Sequence, residues 1–405
     1  MIRQGTAIHM IVAWINKQFD LLVRSDVHIL NYSWPAFRFM GCVGFVLSVL
    51  LTLSLVVYRG LSIITMVGII CLAVSTFVGL NLITKIITGS ERINNYHHQI
   101  AVLLVIPLWL QWLGKPVFPY LDITILGVGV FIAFGRLGCL MVGCCHGQPH
   151  SWGVCYQKAH IDGGFPSYYV GVRLFPVQLV ESLWYFYIVL VGCILLLAGS
   201  PAGSTLATYL ILVGFGRFHL EFLRGDKERA YISGFSEAQW ISLLLVAGVL
   251  AAEQISLLPL SERHIFLGSA MVFSIVYESG KTALHGKLEW QLFHPSHIWE
   301  VASAVELLSD LAVYRCENCD PEFGVPVVHI GCTSVGFQIS SSLLNTRQGL
   351  IYQYSLSLNG KDITDEIARK LARFIILIKY PECSSQLIRG NHNIFHLLIS
   401  DIRLS

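Results

Sequence analysis

Phe134-Gly135-Arg136-Leu137-Gly138-Cys139-Leu140-Met141-Val142-Gly143-Cys144-Cys145-His146-Gly147 closes an apolar run that begins near Leu121, then opens into a polar, glycine-rich loop. A helix needs about 20 apolar residues to cross the hydrocarbon of a bilayer, and the run from Leu121 to Met141 has that length. It carries an arginine near its end. A guanidinium at such a depth is costly unless it is paired, hydrated or bound to an anion. The plainest account of Arg136 is a side chain that snorkels and marks the helix end. Four glycines in the stretch permit close backbone approach around it.

The rest of the chain reads in the same way. Apolar runs occur at Phe37 to Tyr58, Leu61 to about Ile83, Ile100 to Leu113, Leu121 to Met141, Pro176 to Leu197, Thr205 to Leu223 and about Ala238 to Leu258. The third run is short and holds Pro107, which predicts a kink. The chain is 54% hydrophobic and 13% charged, with a mean hydropathy of +0.64. A soluble domain carries roughly 25% charged residues. A soluble enzyme is therefore excluded, and a net charge of +2 without a basic patch gives no reason to expect a nucleic-acid partner.

The expected fold is an all-α polytopic membrane protein with about seven transmembrane helices and a small α+β extramembrane C-terminal domain. Residues 1–36 form an N-terminal surface segment in this reading. Residues 37–258 form the transmembrane part, and 259–405 the C-terminal domain. Ile8 to Ile15 is too short for a span, and no small-residue cleavage site follows it, so the start reads as an amphipathic segment rather than a signal peptide. Within the tail, His264 to Tyr277 suits a strand or a surface helix. Pro295 to Tyr314 and Asp362 to Ile378 read as helices, with Asp362 or Thr364 capping the second. Gly349 to Leu358 and Asn391 to Ile399 read as strands.

Polar residues recur at the ends of the apolar runs. Arg217, Glu221 and Arg224 lie at i, i+4 and i+7, on one helical face at the end of the sixth run. Gln178 and Glu181 share a face at the start of the fifth, and Gln239 starts the seventh. With seven spans in alternation, these ends and Arg136 fall on one side of the membrane. Two readings follow: an ion-pair network that joins helices, or an anion site in which guanidinium forks meet phosphate oxygens.

Gly135-Arg136-Leu137-Gly138, Pro176-x-Gln178-Leu-x-x-Glu181, Arg217-x-x-x-Glu221-x-x-Arg224-x-Asp226 and Gln239-Trp240, in this order and spacing, resemble the bacterial phosphatidylglycerol–prolipoprotein diacylglyceryl transferases. The resemblance covers roughly Phe37 to Leu258. It implies transfer of the diacylglyceryl group of phosphatidylglycerol to a cysteine thiol of a preprolipoprotein, forming a thioether and releasing glycerol phosphate. It further implies a multi-pass protein of the bacterial plasma membrane whose partners are the bilayer, an anionic phospholipid and a preprolipoprotein signal peptide, with no cofactor. Arg136 and Arg217 are then the residues that meet the developing phosphate charge. Glu221 acts in a proton relay or holds Arg217. Gly138, Gln178, Glu181, Arg224 and Gln239 line the substrate.

The chain departs from the family pattern at several points. Cys139 stands where the family has an asparagine, and Cys144 where it has a glutamate. Phe37 replaces a tyrosine near the start of the first span. The catalytic histidine of the third span aligns with Tyr96, or with His97 after a one-residue slip. Histidine is the better base near neutrality.

The eleven cysteines leave an odd thiol and so give no disulfide framework. Cys139, Cys144, Cys145 and Cys155 gather around the central loop and read first as small packed thiols beside a helix end. Two alternatives remain. One is a zinc site of Cys144, Cys145 and His146 completed by His150 and Cys155. The other is a disulfide from the pair to Cys139 or Cys155. Cys316-Glu-Asn-Cys319, with His329 and Cys332 nearby, is a lone CxxC that suits redox chemistry or half a zinc site.

Overall fold

A computed structural model describes residues 2–400 apart from 30, 90–94, 227–229, 286, 319–329, 347–348 and 382. The chain opens with helix α1 (Ile2–Leu22) and a hairpin of β1 (Asp26–Ile29) and β2 (Tyr32–Pro35). Helices α2 (Ala36–Tyr58), α3 (Ile63–Thr88), α4 (Asn95–Trp112) and α5 (Val117–Val142) follow. A long loop carries the strand pair β3 (Pro149–Cys155) and β4 (Arg173–Leu174), then leads into α6 (Val177–Leu197) and α7 (Ser204–Leu220). A small hairpin of β5 (Tyr231–Ile232) and β6 (Phe235–Ser236) precedes α8 (Glu237–Gln254) and α9 (Glu262–His285).

Among the described residues, five helices are long and apolar enough to cross a membrane: α2, α3, α5, α6 and α7 extended to Leu223. The third and seventh expected spans are present as α4 and α8, but each has only 18 residues. At 1.5 Å per residue that is about 27 Å, short of a hydrocarbon core of about 30 Å. Glu237 and Glu253 make the ends of α8 polar as well. Helix α4 continues through Pro107.

Helix α5 is the centre of the bundle, packed against α2, α4, α6 and α7. Its small residues make this possible. A side chain at Gly127 would run into Thr52 of α2, and one at Gly129 into Val189 of α6. At the end away from the glycine-rich loop, buried Asp122 of α5 accepts the N–H groups of Gly203 and Leu206 at 2.7 Å each. This caps the first turn of α7, whose backbone donors lack intrahelical partners. Glu253 and His264, both buried, pair at 2.5 Å.

Of the strand or surface helix expected over 264–277, the helix is present, as part of α9. It packs against α7 and α8. Thr208 Oγ1 lies 3.0 Å from His264 Nε2, and His219 Nε2 lies 3.0 Å from Ser274 Oγ. Early residues of α9 thus meet early residues of α7, and later meet later, so the two run parallel. Phe266, Val272, Phe273, Val276 and Tyr277 leave an exposed apolar stripe. That stripe has helical spacing, which is why the segment is a helix.

Beyond α9 come α10 (Lys287–Leu292), α11 (Pro295–Asn318), β7 (Ile330–Cys332), β8 (Phe337–Thr346), β9 (Gly349–Leu358), α12 (Asp365–Lys379), β10 (Ser384–Arg389) and β11 (Phe395–Ser400). The five strands form one antiparallel sheet in the order β10-β11-β9-β8-β7. Tyr352, Tyr354, Leu356 and Leu358 alternate inward along β9, as do Phe395, Leu397 and Ile399 along β11. Thr364 caps α12 by accepting the Ile367 N–H at 3.3 Å. The expected strand at Asn391 begins later, at Phe395, because Asn391–Asn393 form a single 3-10 turn. Cys316-Glu-Asn-Cys319 and His329 lie outside the residues whose side chains are described.

The sheet and the glycine-rich loop share a core. Leu140, Val154, Tyr156, Phe165, Tyr169 and Val172 cluster with residues of α11, α12 and the sheet. Ser167 in the loop donates to Glu306 of α11 at 3.2 Å. Helix α1 joins from the other flank. Asp20 pairs with both terminal nitrogens of Arg173 at 2.5 and 2.8 Å, and Asn16 accepts the Gly153 N–H at 2.9 Å.

This packing predicts a sidedness. In sealed vesicles of one orientation, a membrane-impermeant amine reagent should label exposed Lys158 of the loop and Lys361 of the sheet region from the same face, and Lys115 from the opposite face. Labelling of Lys361 together with Lys115 would contradict the arrangement.

Candidate functional site

Four elements deliver charged side chains to one buried place. Arg136 comes from the penultimate turn of α5, Glu181 from the second turn of α6 and Arg217 from the last turn of α7. The chain after α7 tightens into a 3-10 turn at Glu221–Leu223 and then extends at Arg224. The face expected to be continuous helix through Arg224 therefore breaks, yet its residues still converge. Arg136, Glu181, Arg217, Glu221 and Arg224 are all buried, with Arg224 at 1% exposure and Glu181 and Glu221 at 2%.

Glu181 is the hub. Its Oε2 lies 2.9 Å from Arg136 Nε. Its Oε1 takes Arg217 Nη1 and stands 3.7 Å from Arg224 Nη1. Arg217 Nη2 reaches Glu221 at 3.0 Å, four residues on. Arg224 holds Asp226 as a fork, at 2.9 and 3.0 Å. Three guanidiniums thus face three carboxylates. The Arg224 Nη1 group is nevertheless buried without a hydrogen-bond partner, and Arg136 Nε is close to Glu181 but out of line for a hydrogen bond. An ion pair survives burial only when its polar atoms are well satisfied. Those two donors give the cluster capacity for a further acceptor.

The backbone around these charges is woven rather than looped. Gly147 bridges to Arg224, Gly225 N–H donates to His146 O at 3.0 Å, and Gln148 N–H donates to Leu223 O at 3.2 Å. Phe175 N–H donates to Gln148 O at 2.9 Å, just before α6. The Gln148 amide reaches Phe222 O and Arg224 O at 3.1 and 3.2 Å. One short segment therefore ties the end of α7 to the start of α6. Gly147 is required here, since a side chain on it would meet Phe175 O at 2.3 Å.

The other expected residues have more local contacts. Gln178 donates to Cys144 O at 3.0 Å and to the Tyr156 hydroxyl at 3.4 Å, so it holds the loop over α6. Gln239 closes a capping box with Ser236 at the start of α8 and donates to Phe218 O at 3.2 Å. Gly138 faces Phe37 and Met40 of α2 and allows the two helices to pack. Tyr96 and His97 fall in the first turn of α4, and their side chains lie outside the described residues. The neighbouring His98 is buried and packs on Phe77, with ring centroids 4.6 Å apart.

Cys139, Cys144 and Cys145 sit beside Arg136 and Arg224, all as free thiols. The set that converges differs from the one the sequence suggested. His146 is buried between Phe165 and Tyr169, with Nδ1 2.9 Å from Gly147 O, and Cys155 lies on β3 near Arg173. Burial pushes the His146 imidazole down from its ordinary range. Hydrogen bonds from Cys139 and Cys144, then the charges of Arg224 and Arg136, hold the Cys145 thiol well below the usual range despite its burial. Its backbone takes a left-handed conformation, with φ of 57°.

The sequence reading gathered these arginines but treated Glu181 as one lining residue among several. Its signal is a lone carboxylate in the second turn of a largely apolar run.

Residues 96–253 match the family model described as prolipoprotein diacylglyceryl transferase. The chain is 35% identical over 135 residues to phosphatidylglycerol–prolipoprotein diacylglyceryl transferase 2 of Clostridium perfringens, covering 32% of this chain and 49% of that protein. It is 32% identical over 132 residues to the corresponding transferase of Clostridium tetani, covering 32% and 50%. Against that of Leptospira interrogans it is 26% identical over 173 residues, covering 36% and 52%. The chain spans about half the length of the curated relatives it matches.

Glu181→Gln should strip three buried guanidiniums of their shared counter-charge. A change of this kind costs about 3–5 kcal/mol, read as a large fall in the thermal midpoint of the detergent-purified chain. Asp226→Asn, at a carboxylate with 19% exposure, should cost clearly less. Equal effects would mean that Glu181 is not the hub.

Proposed function

We propose, on the premise that residues 96–253 belong to the prolipoprotein diacylglyceryl transferase family, that the chain transfers a diacylglyceryl group from phosphatidylglycerol to a cysteine thiol of a preprolipoprotein. The observation that carries this reading is the cluster of three buried guanidiniums around Glu181, with Arg224 Nη1 still without a hydrogen-bond partner. In the reaction, the acceptor sulfur bonds to the glyceryl carbon that bears the phosphate. The carbon–oxygen bond breaks, glycerol phosphate leaves, and the thiol proton passes to a base.

Each residue then has a task. Arg136 and Arg217 meet the phosphate oxygens as their charge grows, and preorganised donors act most strongly where water is excluded. Arg224 adds Nη1, which has no hydrogen-bond partner, while Asp226 steadies the guanidinium. Glu181 keeps the three cations together in the absence of lipid, so the incoming phosphate exchanges with a carboxylate rather than with bulk water. Glu221 orients Arg217 or relays the proton. Tyr96 or His97, at the start of α4, takes the proton from the thiol. Gly138, Gln178 and Gln239 support the lipid path by holding α2, the loop and α8 in place. The setting is a bacterial plasma membrane, with residues 37–258 as the transferase part.

A second reading has its own support. The three guanidiniums are matched by three carboxylates, and Cys139 and Cys144 occupy the family's asparagine and glutamate positions. A relative that binds anionic lipid without turning it over would also have these features.

The test is complementation of a bacterium depleted of its own transferase, following radiolabelled lipid on a lipoprotein cysteine. Label should appear with the native chain. It should fall by ~10²–10³ in Arg136→Lys and Arg217→Lys, the usual cost of a lost oxyanion donor, while Arg173→Lys stays near native. Stable insertion without label, but with retained phosphatidylglycerol binding, would favour the second reading.

A further inference from the structure

The Sγ atoms of Cys139, Cys144 and Cys145 all lie within 4.8 Å of one another. Backbone geometry brings them together. Gly143 ends α5 in a left-handed conformation with φ of 86°, which turns the chain back so that Cys144 Sγ comes to 4.0 Å from Cys139 O. Cys145 follows with its own positive φ. The weave through Gly147, Gln148 and Gly225 then fixes the turn against α6 and α7. The triangle is therefore held by the fold.

We propose that these three sulfurs form a binding site for a single soft cation, copper(I), at the end of α5. A metal–sulfur bond of about 2.3 Å places three sulfurs in a plane at ~4 Å from one another. The native triangle needs to close by less than about 1 Å to reach that geometry. The donor set is all sulfur: no carboxylate or imidazole joins the group among the described residues. Thiolates select copper(I), zinc and iron–sulfur clusters, and structural zinc sites take four ligands. Three sulfurs without a fourth side chain favour copper(I). Three thiolates around a monovalent cation leave two negative charges, and Arg136 and Arg224 stand beside the sulfurs, shared with the carboxylates they already pair. His146 is not a ligand, because its ring is turned to Gly147 O and packed between aromatic rings.

This site adjoins Arg136 and Arg224 of the proposed transfer site, but metal binding by the cysteines and lipid transfer are decided by different measurements. A bound ion would pin the start of the loop to α5 and draw Arg136 and Arg224 towards sulfur.

The test uses the full chain, purified in detergent, reduced and kept free of oxygen. Copper(I) is titrated against a chromophoric competitor, and X-ray absorption is recorded at the copper edge. One equivalent should bind, with a three-sulfur shell at about 2.3 Å. Cys139→Ser and Cys144→Ser should each weaken binding by more than the ~10–100-fold that loss of a supporting hydrogen bond costs at a metal site. Cys155→Ser and the pair Cys316→Ser/Cys319→Ser should bind as the native chain does. Absence of binding, a shell of nitrogen or oxygen, preference for zinc, or full binding in Cys139→Ser/Cys144→Ser would overturn the proposal. The absorption spectrum of the native chain decides the matter even if a serine variant fails to fold.

Discussion

One carboxylate meets three guanidiniums at Glu181, and the arrangement of the bundle follows from that. The arginines arrive from α5, from α7 and from the extended residue beyond it. Each would be costly to bury alone. Sharing one acceptor forces the three elements to end at the same depth against α6. Buried Glu221 and partly exposed Asp226 complete the balance. A packing of these helices that moved Glu181 by one turn, about 5.4 Å, would leave several buried charges without partners. The network therefore works as a register device as much as a binding feature, a use to which buried polar groups are well suited.

The two ends of the bundle solve the same problem differently. At the far end, Asp122 satisfies the start of α7 with two short bonds to backbone N–H groups. At the near end, charge meets charge, and glycines allow backbone to approach backbone. Between them lie interlocking apolar residues of α2, α5, α6 and α7. The apolar middle is tied across helices as well: Ser182 Oγ donates to Ala133 O and Trp184 Nε1 to Leu212 O, at 2.9 Å each.

Much of this was legible in the sequence. Hydropathy marks the five long spans directly, and alternation of apolar residues marks β9. The third and seventh apolar runs are present as the shorter helices α4 and α8, near the lower limit of length for a span. Alternation of runs also placed Arg136, Glu181, Arg217 and Arg224 on one side. What stayed hidden depends on the turns between elements. The left-handed residues at Gly143 and Cys145 decide which cysteines meet, and no spacing rule encodes them; His146 and Cys155 were plausible companions by proximity in sequence alone. Segment 264–277 suits strand and helix alike because its β-branched and aromatic residues fit either; the helical spacing of Phe266, Phe273 and Tyr277 decides for the helix.

The shared core between the loop and the C-terminal sheet has a consequence for biogenesis. The loop emerges from the ribosome well before the strands that cover it, with Val154 preceding Phe337 by 183 residues and Ile399 by 245. Until then, Leu140, Val154, Tyr156 and Phe165 have no lid, and they form an adhesive patch at the membrane surface. The nascent bundle must wait for its last strands before that patch is hidden.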